Sequence, residues 1–504
     1  MESDDNVLIL YSSQTTYPTL VVRFISSILT PIILVFFVQR LWRYYNLSTA
    51  DSSSDLPLPP GSFGLPFIGE TLNLILGADE FFKKRRTELG NVYKTHLLGQ
   101  PTVRVIGREN VRKILLGENK LVTTWWPAST RRLMGTGALS HSVGIIHRKR
   151  RKLIAKAFTH DALERYCRPM QRAIKRHVIR WCEDGYILGY QEAKYLTFAL
   201  AARVLLGFHF TRRDIGQLLA VFNDLVDNLF SLPYNIPGSG FHKGMKAREK
   251  LLETIEKQIV ERMNSPEDHD DALWLLMNAS DDDGTKLSMM ELKEACLELL
   301  FAGHETTASA ACTTMMQLAQ KPEVVQKIQA ELEEHAVDDV EGMKYDELHR
   351  LTYLNRVIKE VLRVAPPVGA GFRKAIKTFE IDGMQVPKGW SVAYSIRDTQ
   401  CTSKLFENVS DFDPDRWSKL SNNDQDSAHF DYLPFGGGPR ACVGREYAGV
   451  LLKTLTIALV QNSVWSMQNE KPKMKLIPVP HPIDGLPLEF TEAEQIFRPR
   501  SHTV

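Results

Sequence analysis

The sequence predicts a mainly α-helical protein with a minor β component, preceded by one N-terminal membrane-anchor helix. Three features of the chain point there. Apolar residues recur about every 3.6 positions through most of residues 109–354, in segments parted by Gly, Pro and Asp clusters. Two stretches alternate as strands do. A long apolar run stands close to the N-terminus. The 504 residues are 43% hydrophobic and 24% charged, the balance of a globular protein with a large core. A net charge of +2 gives no pull toward nucleic acid, and no internal repeat is visible.

The apolar run extends from Leu20 to Val38 in "TLVVRFISSILTPIILVFFVQRLWRYY", with Arg23 near its start and Pro31 inside it. As a helix it is roughly 28 Å long, about one bilayer core. Glu2, Asp4 and Asp5 at the start disfavour a secretory signal and a mitochondrial presequence. Arg40 and Arg43 follow the run, which puts the bulk of the chain in the cytosol. "NLSTADSSSDLPLPPG" then passes from Ser and Asp to Pro57, Pro59, Pro60 and Gly61, a linker stiffening toward polyproline-like structure. The expected division is a short lumenal tail (1–19), a transmembrane anchor (20–43), a Ser/Pro-rich linker (44–60) and one large globular body (61–504).

Within the body, "NVYKTHLLGQPTVRVIG" reads as a hairpin turning at Gly99-Gln100-Pro101. "KTFEIDGMQVPKGWSVAYSI" returns to strand, with Asp382-Gly383 a strong hairpin signal. Between them lies an unusually long helix, "LSMMELKEACLELLFAGHETTASAACTTMMQLAQKP". Ser288 and Glu291 open it as a capping box, and Pro322 stops it. At about 48 Å it should cross the whole body. Its middle holds Ala302, Gly303, His304, Glu305, Thr306 and Thr307. Gly costs about 1 kcal/mol there relative to Ala, and Thr can bond back to a carbonyl and bend the helix. Such a weak spot is either a packing concession or a seat for a small ligand, and spacing alone does not choose. A zinc-protease reading of His304-Glu305 fails, because Ala308 stands where the second His is needed.

The six cysteines, Cys167, Cys182, Cys296, Cys312, Cys401 and Cys442, are scattered, which fits a reducing compartment. Five carry no more than a core reading. Cys442 differs, because "PFGGGPRACVGRE" crowds it with glycines and two arginines. A metal-binding thiolate needs backbone N–H donors close by, a flat cofactor needs a surface without side chains, and an acidic cofactor edge needs cations. Gly436, Gly437, Gly438, Arg440, Cys442 and Gly444 meet those demands, and no phosphate-loop pattern is present.

Phe435, Gly438, Arg440, Cys442 and Gly444 fill the pattern F-x-x-G-x-R-x-C-x-G, which resembles the haem-binding loop of the cytochromes P-450. Three further family elements follow the same order: Ala302-Gly303 with Glu305, Thr306 and Thr307; Glu360 with Arg363; and Pro414 with Arg416 and Trp417. The resemblance implies that fold, haem b, and Cys442 thiolate as the axial iron ligand. It implies that Glu360 and Arg363 pair on one helix face, with Arg416 joining to pin the loop that carries Cys442. Thr306, with Glu305 beside it, would hold water or peroxide and relay protons toward dioxygen. Arg440, Arg373 and Arg151 become the candidates for the haem carboxylates. The family usually has Trp four residues before Arg151; here His147 stands there and would still donate to a propionate. The basic run His147–Lys152 is either a solvated helix face or the docking site of an acidic, NADPH-dependent flavoprotein reductase.

"GQPTVRVIGRENVRKILLGENKLVTTWWPASTRRLMG", "SLPYNIPGSG" and the closing "HPIDGLP" look like the retinoic-acid hydroxylases. That likeness implies 4-hydroxylation of all-trans-retinoic acid by a single-pass endoplasmic-reticulum enzyme with its catalytic body in the cytosol. A polyene acid needs an apolar, aromatic tunnel, for which Trp126, Phe230, Phe301, Ala302 and Phe372 are the candidates by analogy, each also readable as core. Two alternatives stand: another lipophile, such as a sterol or a plant isoprenoid hormone, or a haem-binding sensor, against which Glu305-Thr306 argues.

Overall fold

The N-terminal apolar run forms a helix over Tyr17–Ser48, with Pro31 inside it. This computed structural model describes residues 17–264, 269–281, 283–420 and 430–493. Glu2, Asp4 and Asp5 of the expected tail lie outside the described residues. Val22–Ser48 is long and apolar enough to cross a membrane, and its apolar side chains are exposed along the run. The helix continues past residue 43, where a linker was expected. Trp42 packs on Phe67 and His96, with centroids 5.2 and 4.9 Å away. Beyond it, the Pro-rich stretch is laid on the body. Trp390 Nε1 donates to Thr49 Oγ1 at 2.9 Å, Gln385 Nε2 to the Leu56 carbonyl at 2.6 Å, and the Lys94 N–H to the Pro60 carbonyl at 2.7 Å. Prolines lack N–H groups but keep carbonyls, so the stretch serves as an acceptor edge for residues that belong to the sheet.

The first hairpin pairs β1 (Val92–Leu97) with β2 (Gln100–Val105) in the register Leu97↔Gln100. Its turn is therefore Leu98-Gly99, not Gly99-Gln100-Pro101. Both turn residues have positive φ, 52° and 76°, the geometry that matches the twist of a two-residue hairpin. β2 then pairs in parallel with β8 (Ser391–Ser395), which pairs with β5 (Ala370–Ala375), which pairs with β3 (Val122–Thr124). The second hairpin forms as expected, with β6 (Phe379–Ile381) and β7 (Met384–Val386) turning at Asp382-Gly383. A small third sheet joins β4 (Tyr186–Leu188), β10 (Pro487–Glu492) and β9 (Ser463–Met467).

The remainder is helical and encloses the main apolar core. The long helix spans Met289–Ala319, capped by the Ser288/Glu291 box, and ends just before Pro322 as expected, with Pro322 opening the next helix. It packs against the helices Gly189–Leu200, Gly240–Met263, Thr352–Val364 and Arg445–Asn462, so it is the central rod of the body.

The Glu360–Arg363 pair is no surface ion pair. Glu360 is 0% and Arg363 1% exposed. Arg363 Nε and Nη2 reach the two Glu360 oxygens at 2.8 and 2.9 Å, and Arg416 Nε reaches Oε1 at 2.8 Å. Trp417 Nε1 and the Asp413 N–H complete the carboxylate. The guanidinium groups spend their other hydrogens on the carbonyls of Glu407, Asn408, Val409 and Asp411. Buried charges are tolerated only when paired and fully hydrogen-bonded, and this cluster satisfies both conditions while clamping residues 407–417.

Two outcomes follow. Glu360→Ala leaves two buried guanidinium groups without their anion, which costs about 3–5 kcal/mol, so urea unfolding should show a large loss of stability and little soluble protein should accumulate. His96, buried beside Trp42, has its pKa lowered by desolvation to about 4. The unfolded chain binds that proton near pH 6.5, so stability is lost as pH falls from 6.5 toward 4, by up to roughly 3 kcal/mol from this group. Urea titrations at pH 7 and 5 should show a smaller pH difference for His96→Phe than for the unaltered protein.

Candidate functional site

Cys442 is exposed, while Cys167, Cys296 and Cys312 are buried and Cys182 and Cys401 are half-buried. It lies just ahead of the helix Arg445–Asn462, whose N-terminal dipole favours an anion. The Cys442 N–H donates to the Phe435 carbonyl at 2.8 Å, closing the loop. Gly436 and Gly438 have φ near +68° and +65°, a conformation other residues rarely adopt. A Cβ on Gly438 would also run into the Leu115 carbonyl, at the end of the helix Arg108–Leu116. These glycines thus serve the turn and its seating on that helix, a role beyond the flat cofactor surface expected of them. Desolvation raises the Cys442 pKa, opposed by the Gly444 N–H and the charges of Arg151 and Arg445.

The candidate cations form a cluster that reaches the thiol through Arg151. Arg151, on the helix Gly144–Ala155, is coupled electrostatically to both Cys442 and Arg440. Arg440 Nε donates to Glu118 Oε1 at 2.6 Å and Nη2 to the Ser142 carbonyl at 2.7 Å. Arg373 Nε lies 3.2 Å from Glu118 Oε2. His147 is buried, and desolvation together with Arg440, Arg151 and Arg373 lowers its pKa to about 4, so it is a neutral N–H donor. Arg440 and Arg373 share the one carboxylate of Glu118, and Arg151 beside Arg440 has no carboxylate partner among the described residues, which leaves two positive charges unmatched. Two propionates supply that charge. The open thiol, its N–H donor and this surplus fit haem b.

Nearly every residue from Leu292 to Leu318 of the central helix is buried, but Ala302 is exposed and Gly303 and Thr306 are half-exposed. Ala302 and Thr306 lie one turn apart on a common face. Thr306 Oγ1 donates to the Ala302 carbonyl at 2.8 Å, the back-bonding its type allows. The helix is continuous there. A Cβ at Gly303 would meet Ala201 and Leu205 only at ordinary contact distance, so packing does not require glycine there, and the open position is Ala302.

Glu305 does not share the Thr306 face, since consecutive helical residues diverge by about 100°. It is buried against the helix Gly189–Leu200, with Lys194 Nζ 2.8 Å, His304 Nε2 3.4 Å and Tyr190 Oη 3.5 Å away. Burial opposes its ionisation, but the His304 contact and the Lys194 charge outweigh it and bring the carboxyl to about 2. His304 is fully buried, which pushes its own pKa down, and it shares a hydrogen bond with Thr197 Oγ1 at 2.9 Å.

The aromatic candidates divide. Phe301 is half-buried against the main core beside Ala302. Phe372 tilts over Trp125 at 6.1 Å, and Trp126 meets His141 edge-on at 5.9 Å. Phe230 is not gathered with them: it is 45% exposed, in a surface segment with Leu232, Tyr234 and Ile236. Glu118, Lys194 and Tyr190 were not legible as site residues. No spacing rule joins Glu118 to residues 373 and 440, and only the tertiary fold brings them into contact.

The cytochrome P450 family model matches residues 59–486. Cytochrome P450 26B1 of Homo sapiens is 45% identical over 462 residues, 90% of each chain. Cytochrome P450 26A1 of Danio rerio is 44% identical over 485 residues, 94% of this chain and 98% of that one. Among solved structures, retinoic acid bound cyanobacterial CYP120A1 superposes with a TM-score of 0.81 at 34% identity, covering 87% of this chain and all of the other.

Proposed function

Because this chain belongs to the cytochrome P450 family, we propose that it hydroxylates all-trans-retinoic acid at the ring 4-position, as a haem-thiolate monooxygenase. One observation supports the chemistry above others: an open thiol stands among cations whose surplus charge suits a dianionic cofactor. The relatives, and the retinoic acid bound to the cyanobacterial protein, support the substrate.

Cys442 would hold haem through its thiolate, and the bound haem would supply dioxygen activation and insertion of one oxygen atom into a C–H bond. The rest falls to the chain. Arg440, Arg373 and Arg151 would hold the haem carboxylates, with His147 as a neutral donor. Phe435 and Gly438 shape the loop that presents the thiol. The Thr306 hydroxyl, its hydrogen given to the Ala302 carbonyl, would hold water on the open face of the central helix by accepting from it, and would pass a proton only by turning from that carbonyl while taking a proton back from solvent. Glu305 stays ionised against Lys194 and serves that face only by turning out of its pair. Trp126, Phe301, Ala302 and Phe372 line the substrate side, and Phe230 belongs to the surface on the approach to it.

The anchor over residues 20–43 crosses the endoplasmic-reticulum membrane once, with residues 1–19 lumenal and the body, residues 61–504, cytosolic. Arg40 and Arg43 after the apolar run support that orientation. Residues 44–60 join the two, held to the body by the bonds of Thr49, Leu56 and Pro60. An NADPH-dependent flavoprotein reductase supplies electrons at the face of the helix Gly144–Ala155, where Arg148, Lys149 and Lys152 are exposed.

Titrating the purified ferric protein with all-trans-retinoic acid should convert its spin state at lower concentration than any sterol does. Adding reductase and NADPH should then yield the 4-hydroxy product. A response to sterol alone would overturn the substrate, and tight binding without turnover would favour a sensor. Thr306→Ala should lower kcat about a hundredfold while leaving the binding titration nearly unchanged.

A further inference from the structure

Glu118 lies in the turn that follows the helix Arg108–Leu116, and it is 2% exposed in its side chain. Three separate parts of the fold meet at its carboxylate. Its backbone bridges to Val122 at the start of β3, and β3 pairs with β5 so that Thr124 stands opposite Arg373. The 3-10 turn Gly438–Arg440 seats on the preceding helix through the close approach of Gly438 to Leu115. Oε1 thereby accepts from Arg440 Nε at 2.6 Å, and Oε2 faces Arg373 Nε at 3.2 Å. Neither oxygen has another partner among the described residues.

The hydrogens left over are informative. Arg440 spends Nε on Glu118 and Nη2 on the Ser142 carbonyl, and Arg373 spends Nη1 on the Phe372 carbonyl. Arg440 Nη1 and Arg373 Nη2 have no acceptor among the described residues. Without Glu118, the guanidinium groups of Arg440 and Arg373, whose side chains are 8% and 10% exposed, would repel each other with Arg151 close by, each would keep only a single carbonyl as partner, and they would lose the one anion they share. We propose that Glu118 is a positioning residue that clamps Arg440 and Arg373 with one nitrogen of each free for a cofactor carboxylate, and that its negative charge holds down the reduction potential of the bound iron. This rests on the haem-thiolate reading. A fixed negative charge near the metal disfavours the more electron-rich ferrous state, so removing it raises the midpoint.

The test compares the full-length holoprotein with Glu118→Gln and Glu118→Asp. The Gln variant keeps shape and removes charge. It should transfer haem to apomyoglobin roughly tenfold faster, a difference of about 1.4 kcal/mol, and its midpoint should move to a more positive potential by spectroelectrochemistry. Glu118→Asp keeps the charge on a shorter arm, so its midpoint should stay near that of the unaltered protein. If Glu118→Gln holds haem as long as the unaltered protein and at the same midpoint, the assignment is wrong. It is equally wrong if the variant only lowers the melting temperature while haem transfer and midpoint in its folded fraction are unchanged. An unaltered protein that binds no haem would instead sink the haem-thiolate reading itself, and the role of Glu118 with it.

Discussion

Charge that the protein does not neutralise by itself organises this molecule. Arg151 stands by Cys442 and by Arg440, and the one carboxylate of this cluster, Glu118, pairs with Arg440 and Arg373. A partly desolvated cluster of that kind would be costly to keep in a fold with no further use for it. The N-terminus of the final helix and the Gly444 N–H add to the same field. A dianionic cofactor with a metal for the thiol resolves the imbalance in one step. On the proposed reading the central helix supplies the other wall, with Ala302 as the exposed position in its middle.

Elsewhere buried charge is fully answered, and the contrast separates scaffold from site. Glu360 receives two arginines, an indole N–H and a backbone N–H, and the arginines pass their remaining hydrogens to four carbonyls. Nothing there is left to bind. Glu305 is intermediate: Lys194 holds it ionised, but its contacts with His304 and Tyr190 are long, at 3.4 and 3.5 Å. A carboxylate held mainly by one lysine rearranges more readily than one held from four sides.

Much of this was legible in the residues. The capping box, the Asp382-Gly383 hairpin and the long helix rest on local rules, and each formed as those rules require. The Cys442 loop was legible because glycines, arginines and a thiol in one short stretch leave few other uses. Local rules failed where tertiary contact decides. The first hairpin turned one residue early because Leu98 accepts a positive φ beside Gly99. The Pro-rich stretch reads as a spacer by composition, yet its carbonyls are acceptors for Lys94 and Gln385. Glu305 and Thr306 are neighbours in sequence and diverge in space, since the helix sends one into the core and the other to the open face. Glu118 carries no local signal, because its partners lie more than two hundred residues away.

The central claim is that the sulfur of Cys442 binds the iron of a haem. The most direct measurement is the absorption of the dithionite-reduced protein before and after carbon monoxide. Thiolate ligation gives a strongly red-shifted Soret band, which should vanish in Cys442→Ser. A band at the position typical of a nitrogen ligand, or a red-shifted band that persists in Cys442→Ser, would contradict the account.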